Sequence, residues 1–416
     1  MKNIALIDER AGFDVNAVRR EFPILSRMIR GVPLAYLDNG ASAQRPNAVI
    51  DAVNDYERRH HANIHRGVHT LSQEATALYE SARDRVQRFL NARSRHEIIF
   101  VRGTTEAINL VAQSYARPLL KTGDEILITH LEHHANIVPW QMVCEQTGAT
   151  LVVAPIDSRG EVHVDEVVSL MSPRTRLLAC AHVSNALGTV LPVRRLIGAA
   201  KARGITTLID GAQAVSHMRV DVRELDCDFY VFSGHKMFGP TGTGVLYGRE
   251  QLLERMPPWQ GGGEMILAVT FAKTTYNGLP NKFEAGTPNI SGGVGLGAAV
   301  DFLDGLDREA AHAHENALLD HATRALSTIP GLRIVGTATD KASLVSFVVD
   351  NVHPHDLGTI LDEDGIAIRT GHHCAMPVME FFKLPATARA SFAFYNTFEE
   401  IDRLAAGIER ARKIFA

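Results

Sequence analysis

Short apolar runs alternate with amphipathic stretches along most of this chain. Residues 97–101, 125–129, 150–154, 177–182, 206–209 and 228–232 are brief aliphatic, β-branched or aromatic runs bounded by turn residues, which predicts six strands. Helical segments separate them, and that alternation implies a mostly parallel sheet with right-handed crossovers. Upstream, residues 14–21 predict a short helix ended by Pro23, and residues 35–37 a strand entering a loop over 38–46. Residues 60–71 are irregular, and Ser72 is placed to cap a helix over 73–90. Downstream, helical periodicity over 292–305 leads into 309–326. Shorter strands follow at 345–349, 366–369 and 389–394, with a last helix at 399–414. The pattern predicts a large α/β lobe and a smaller α+β lobe joined by the N-terminal segment, with a site between them.

A chain of 416 residues can bury a large core and divide into two such lobes. Lys plus Arg number 43 against 47 Asp plus Glu, so no basic surplus exists to hold a phosphate backbone and nucleic acid is not an expected partner. The opening residues lack an apolar run of signal-peptide length and no later run approaches membrane-spanning length, so no membrane partner is expected. Cys144, Cys180, Cys227 and Cys374 are widely spaced, which fits a reduced, cytoplasmic compartment. Neither Glu132-His133-His134 nor Gly371-His372-His373-Cys374 predicts a metal site, because adjacent histidines point in different directions and no helical His-x-x-x-His pair completes either set.

The stretch 228–248, DFYVFSGHKMFGPTGTGVLYG, places Lys236 between one strand and the glycine-rich return to another. A lysine at the carboxyl end of a strand in an open α/β sheet faces the ligand crevice. Burial and neighbouring cations there lower the basicity of the amine, which then becomes a nucleophile. Asp210 ends the strand at 206–209, where a carboxylate either caps the next turn or serves the same crevice. Gly103-Thr104-Thr105-Glu106 opens a helix after the strand at 97–101, and its free amides and hydroxyls suit an anion. Cys374 lies in a short loop beside two histidines and Arg369, cationic surroundings that suit a reactive thiolate, whereas the other three cysteines sit in apolar segments.

SGHKMFGPTGTGVLY resembles the lysine motif of the class V aminotransferase group of pyridoxal-phosphate enzymes, and specifically that of the cysteine desulfurases. LDNGASAQRP, HRGVHTLS, RGTTEAINLVA, EHHANIVPWQ, HVSNALGT, DGAQAV, FEAGTPN and RTGHHCAMP extend the resemblance in the family's order over nearly the whole chain, and the short RTGHHCAMP loop resembles the Suf-type subgroup.

The resemblance implies the fold-type I transferase fold, with a seven-stranded large domain at 30–293 and a small domain of 1–29 and 294–416 carrying the cysteine loop. It implies pyridoxal 5'-phosphate bound at Lys236. Asp210 would pair with the ring nitrogen, Gln213 with the ring oxygen, and His133 would stack on the ring and shuttle a proton. Thr104, Thr105, Ser233 and His235 would cradle the phosphate, with Thr287 reaching it from the partner of a homodimer. Asn185 is a further residue lining the site; Arg389 would fork onto the substrate carboxylate, with Arg369 and His65 nearby. Cys374 would accept sulfur from L-cysteine and pass it to an acceptor protein for iron–sulfur assembly. Selenocysteine lyase activity on the same site and an ordinary class V aminotransferase are the alternatives.

Overall fold

The computed structural model describes residues 13–415. Its central sheet has seven strands: β1 (Ile98–Val101), β2 (Glu125–Thr129), β3 (Thr150–Ala154), β4 (Thr175–Ala181), β5 (Thr206–Asp210), β6 (Phe229–Ser233) and β7 (Gly244–Gly248). They lie in the order β1-β7-β6-β5-β4-β2-β3. β2 to β6 run parallel, and β7 is antiparallel to both of its neighbours. β2, β6 and β7 are buried at every position, as in a sheet covered by helices on both faces. β3 is an edge strand, and its partial exposure follows from that place.

The helices include α1 (Thr70–Phe89), α2 (Thr104–Val111), α3 (Ile290–Asp304), α4 (Arg308–Ser327), α5 (Pro354–Glu363) and α6 (Phe398–Ile414). A second sheet, β8 (Leu332–Val335), β9 (Leu344–Val349), β10 (Arg369–Gly371) and β11 (Thr387–Ser391), is antiparallel in the order β8-β9-β11-β10. Leu318, Phe347, Leu361, Phe392 and Leu404 fill the core between this sheet and α4, α5 and α6. Ala35–Tyr36 pairs in parallel with Ile366–Ala367, which ties the N-terminal segment to this layer. Of the residues read as the N-terminal part of the small domain, 1–12 lie outside the described residues.

Several elements differ from their sequence expectations for local reasons. α1 begins at Thr70, capped by His69, whose Nδ1 accepts the Ser72 N–H at 3.3 Å. Ser72 is fully buried and donates its hydroxyl to the Asn63 carbonyl at 2.7 Å, so that hydroxyl is not the cap. The single strand expected over 366–369 is two, because Ile366–Ala367 pairs with Ala35–Tyr36 whereas Arg369–Gly371 pairs with β11. β8 and the hairpin of Ile266–Val269 with Thr274–Tyr276 are strands that the apolar pattern leaves unmarked. Among the described residues no helix is long and apolar enough to cross a membrane.

Candidate active site

A cavity of about 260 Å³ opens where β4, β5 and β6 end, lined by Ala181, Asp210 and Ser233 from those strand ends. This is the crevice position expected for ligands of a parallel sheet. Ala181 pairs with Asp210, so the two strand ends reach the cavity side by side. Beyond Asp210 the chain turns sharply at Gly211, where the Tyr230 ring fills the space a side chain would need: a Cβ on Gly211 would lie 2.1 Å from Tyr230 Cε1. The Ala212 N–H donates to Asp210 Oδ1 at 2.9 Å. Burial raises the Asp210 pKa, opposed by that amide and by Lys236.

β6 passes at Ser233 into a single turn of 3-10 helix, Gly234–Lys236, which aims Lys236 into the cavity. The return strand β7 must approach closely. A Cβ on Gly244 would lie 2.5 Å from Gly103 Cα, so glycine is needed where β7 passes the start of α2. Burial lowers the pKa of Lys236; Asp210 opposes this and Arg389 reinforces it. At the start of α2 the Thr104 N–H donates to Ser233 Oγ at 2.9 Å, and the Thr104 hydroxyl lies 2.8 Å from the same oxygen. Thr105 and His235 complete this end of the cavity. Burial, followed by the charge of Lys236, lowers the His235 pKa to about 4.

The opposite wall comes from the loop after β2 and from the second sheet. His133 accepts the Ala135 N–H on Nδ1 at 3.0 Å, and burial, with Lys236 next in weight, lowers its pKa to about 4, leaving a neutral ring. Gln213 donates its amide to the Gly40 carbonyl at 2.7 Å. Arg389, 2% exposed, donates to the Asn185 carbonyl at 2.8 Å and to Asp38 Oδ1 at 3.1 Å. Its Nε is buried without a partner, a donor left over for a ligand. The Asn185 side chain donates to the His373 carbonyl at 2.6 Å. Arg369 and Cys374 line the same cavity, and the Cys374 side chain is half-buried.

Twelve of the fourteen site residues expected from sequence thus meet in one cavity: Lys236, Cys374, His133, Thr104, Thr105, Asn185, Asp210, Gln213, Ser233, His235, Arg389 and Arg369. His65 and Thr287 do not reach it within one chain. His65 instead lies 3.1 Å from Glu80 and 3.4 Å from Glu264, and the bond to Glu80 leads in raising its pKa. Thr287 is exposed on the rim of a second cavity with Phe100, Arg102 and Glu284. Sequence reasoning passed over Asp38, which orients Arg389, and Glu132, a fully buried carboxylate whose pKa burial raises to about 7. Asp38 stands inside the quoted LDNG motif, so its signal was present; nothing local marks Glu132 as buried. Among the described residues no group of His, Cys, Asp or Glu is arranged to hold a metal ion.

The donor set fits pyridoxal phosphate at each end. Amides and hydroxyls at the α2 N-terminus suit a phosphate, a buried carboxylate at Asp210 suits a protonated ring nitrogen, and the Lys236 amine lies in the same cavity.

Comparison with known proteins agrees. The class-V aminotransferase family model matches residues 35–404. A cysteine desulfurase of Serratia proteamaculans is 53% identical over 403 residues, covering 97% of this chain and 99% of that protein. A cysteine desulfurase of Synechococcus elongatus is 53% identical over 399 residues, and this chain spans 64% of its length. Among solved structures, the cysteine desulfurase CsdA of Escherichia coli in an S-sulfonic acid form superposes with a TM-score of 0.91 at 42% identity, covering 98% of this chain and 100% of that one. The chain belongs to the class-V aminotransferase family of pyridoxal-phosphate enzymes and, within it, to the cysteine desulfurases.

Proposed function

We propose that this enzyme takes sulfur from L-cysteine onto Cys374, leaving L-alanine and a persulfide that an acceptor protein collects for iron–sulfur cluster assembly. The observation that carries the reading is the presence of Cys374 in one cavity with Lys236, Asp210 and Arg389. Bound pyridoxal phosphate supplies an electron sink for the substrate carbons. The residues of the chain do the rest. Arg389 holds the substrate carboxylate through the donor left free on Nε. Lys236, its basicity lowered by burial, removes the proton from the substrate α-carbon. Asp210 would keep a proton on the ring nitrogen, and the neutral His133 ring, in the same cavity, would stack on the cofactor. Sγ of Cys374 bonds to the substrate sulfur as the carbon–sulfur bond breaks, and the carbon left behind takes up a proton to give alanine.

The same reading divides the chain into a cofactor domain, 30–293, and a small domain, 1–29 with 294–416, that brings the cysteine loop to the cavity. Four free cysteines support work in the reducing cytoplasm. The short loop between β10 and Pro377 supports the Suf-type subgroup. A homodimer is supported by the hairpin of Ile266–Val269 with Thr274–Tyr276, where Leu267, Val269 and Phe271 stand in solvent in the single chain.

Cys374→Ala tests the function. The variant should keep its bound cofactor and its affinity for L-cysteine, since Lys236, Asp210 and Arg389 are untouched, yet lose alanine production by at least about a hundredfold. L-selenocysteine, whose carbon–selenium bond is weaker, should remain a substrate. Alanine formed from L-cysteine at the parent rate would remove Cys374 from the mechanism.

A further inference from the structure

His134 stands beside the cofactor-facing His133, and nothing in the proposed reaction uses it. The loop that carries Cys374 is held in an unusual conformation: His373 and Cys374 are consecutive left-handed residues, with φ of 53° and 55°. Non-glycine residues are disfavoured in that region, so such a turn persists only where its surroundings fix it. Asn185 fixes one side through the His373 carbonyl. His373 Nε2 also meets the Thr387 hydroxyl at 2.8 Å, and on the other side His130 Nε2 lies 3.1 Å from the Pro377 carbonyl while His134 holds the residues next to the thiol at two points. The His134 N–H donates to the Cys374 carbonyl at 2.8 Å, and His134 Nε2 accepts the Met376 N–H at 3.1 Å.

We propose that His134 is a positioning residue for the sulfur-transfer step, a two-point clamp that holds the peptide of Cys374 against the loop bearing His133. Main chain and side chain of one residue span three consecutive positions, Cys374 to Met376, across 240 residues of sequence. The clamp requires an unprotonated Nε2, since a second proton there would face the Met376 N–H. Burial and the His372 ring, 5.7 Å away between centroids, both lower the His134 pKa and so favour that neutral form. His372 contributes on the near side, accepting the Cys374 N–H on Nδ1 at 3.1 Å. Because His133 and His134 are adjacent, the clamp gives the ring-facing wall and the thiol-bearing loop a common anchor.

The inference rests on Cys374 as the sulfur acceptor, and its test reads the loop separately from turnover. In the holoenzyme, His134→Ala removes the side-chain half of the clamp and His134→Gln restores an acceptor at its end. Amide exchange in the peptide covering 369–380 should quicken about fivefold in the alanine variant, the effect of one net hydrogen bond, and return toward the parent in the glutamine variant. Turnover of L-cysteine should fall by a similar factor with KM unchanged, and glutamine should recover most of it. Parent-like exchange in His134→Ala, or a turnover loss that glutamine does not repair, would overturn the clamp. Loss of bound cofactor in the alanine variant would overturn it too, by making His134 part of the cofactor site. If Cys374→Ala keeps its turnover, the sulfur-acceptor reading fails while exchange still reports whether the clamp exists.

Discussion

Asp210 shows how much of a site one residue's place in the chain can fix. It is the last residue of a strand buried along most of its length; the residue is 6% exposed, and its carboxylate has a single internal donor, the Ala212 amide. A buried carboxylate so sparsely satisfied is costly unless a cation or a proton meets it. In the proposed reaction that partner would be the protonated ring nitrogen. Asp210→Asn keeps the shape and removes the charge, so the cofactor should stay bound while alanine formation falls at least about a hundredfold, the order of one lost electrostatic contact in a transition state. Absorbance of the bound cofactor and the rate at saturating L-cysteine check the two halves, and near-parent turnover would dissolve the pairing. Residues of this kind are legible in sequence: Asp210, Ser233 and Lys236 all sit where an apolar run stops. His134 and Glu132 are not legible. Their roles come from contacts with Met376 and Ala181, and no local pattern announces a partner so distant.

At the scale of elements the apolar runs find six of the seven central strands, and the last strand is visible in its glycine-led return. What periodicity does not supply is pairing. It gives one strand over 366–369 because nothing in four residues says that two different sheets claim the halves. α3 carries a similar lesson. Its glycines, Gly292, Gly293, Gly295 and Gly297, weaken any helix prediction, since each costs about 1 kcal/mol against alanine. Tertiary contact explains them. α3 lies so close to its neighbours that a Cβ on Gly295 would sit 2.5 Å from Pro240 Cγ, in the loop after Lys236, and one on Gly297 would sit 2.8 Å from Ala82 Cβ and 3.0 Å from Ala82 Cα of α1. Gly297→Ala should therefore destabilise the protein despite the better helix former. The backbone of α1 cannot yield as a flexible side chain would, so overpacking of about 1–3 kcal/mol outweighs the gain in propensity. Calorimetry of the holoprotein should show a melting point lowered by a few degrees, and a raised one would mean that α1 and α3 are free to separate.

The whole molecule poses the question that a single chain leaves open, namely what Thr287 and the exposed hairpin are for. The segment bearing Thr287 is rigidly set. Arg83, buried with 0% side-chain exposure, forks onto Glu284 at 2.6 and 2.9 Å, and the Phe100 N–H donates to the same carboxylate at 2.7 Å. Thr287 itself is exposed, three residues beyond that anchor. Nearby, Leu267 is 73% exposed, Val269 61%, and Phe271 stands entirely free. An apolar hairpin in water next to a fixed polar segment suits a two-fold interface, and such a contact would bury the hairpin and, on the proposed reading, bring Thr287 toward the other chain's phosphate end. The protein should then sediment as a dimer. Leu267→Asp with Phe271→Asp places two charges in that contact and should shift sedimentation toward monomer at micromolar concentration. Cofactor affinity should fall with it, since each site would lose the threonine supplied from across the axis, and excess pyridoxal phosphate should pull the variant back toward dimer by mass action. A parent protein that sediments as a monomer with full turnover would rule out a shared site, leaving Thr287 no route to the phosphate.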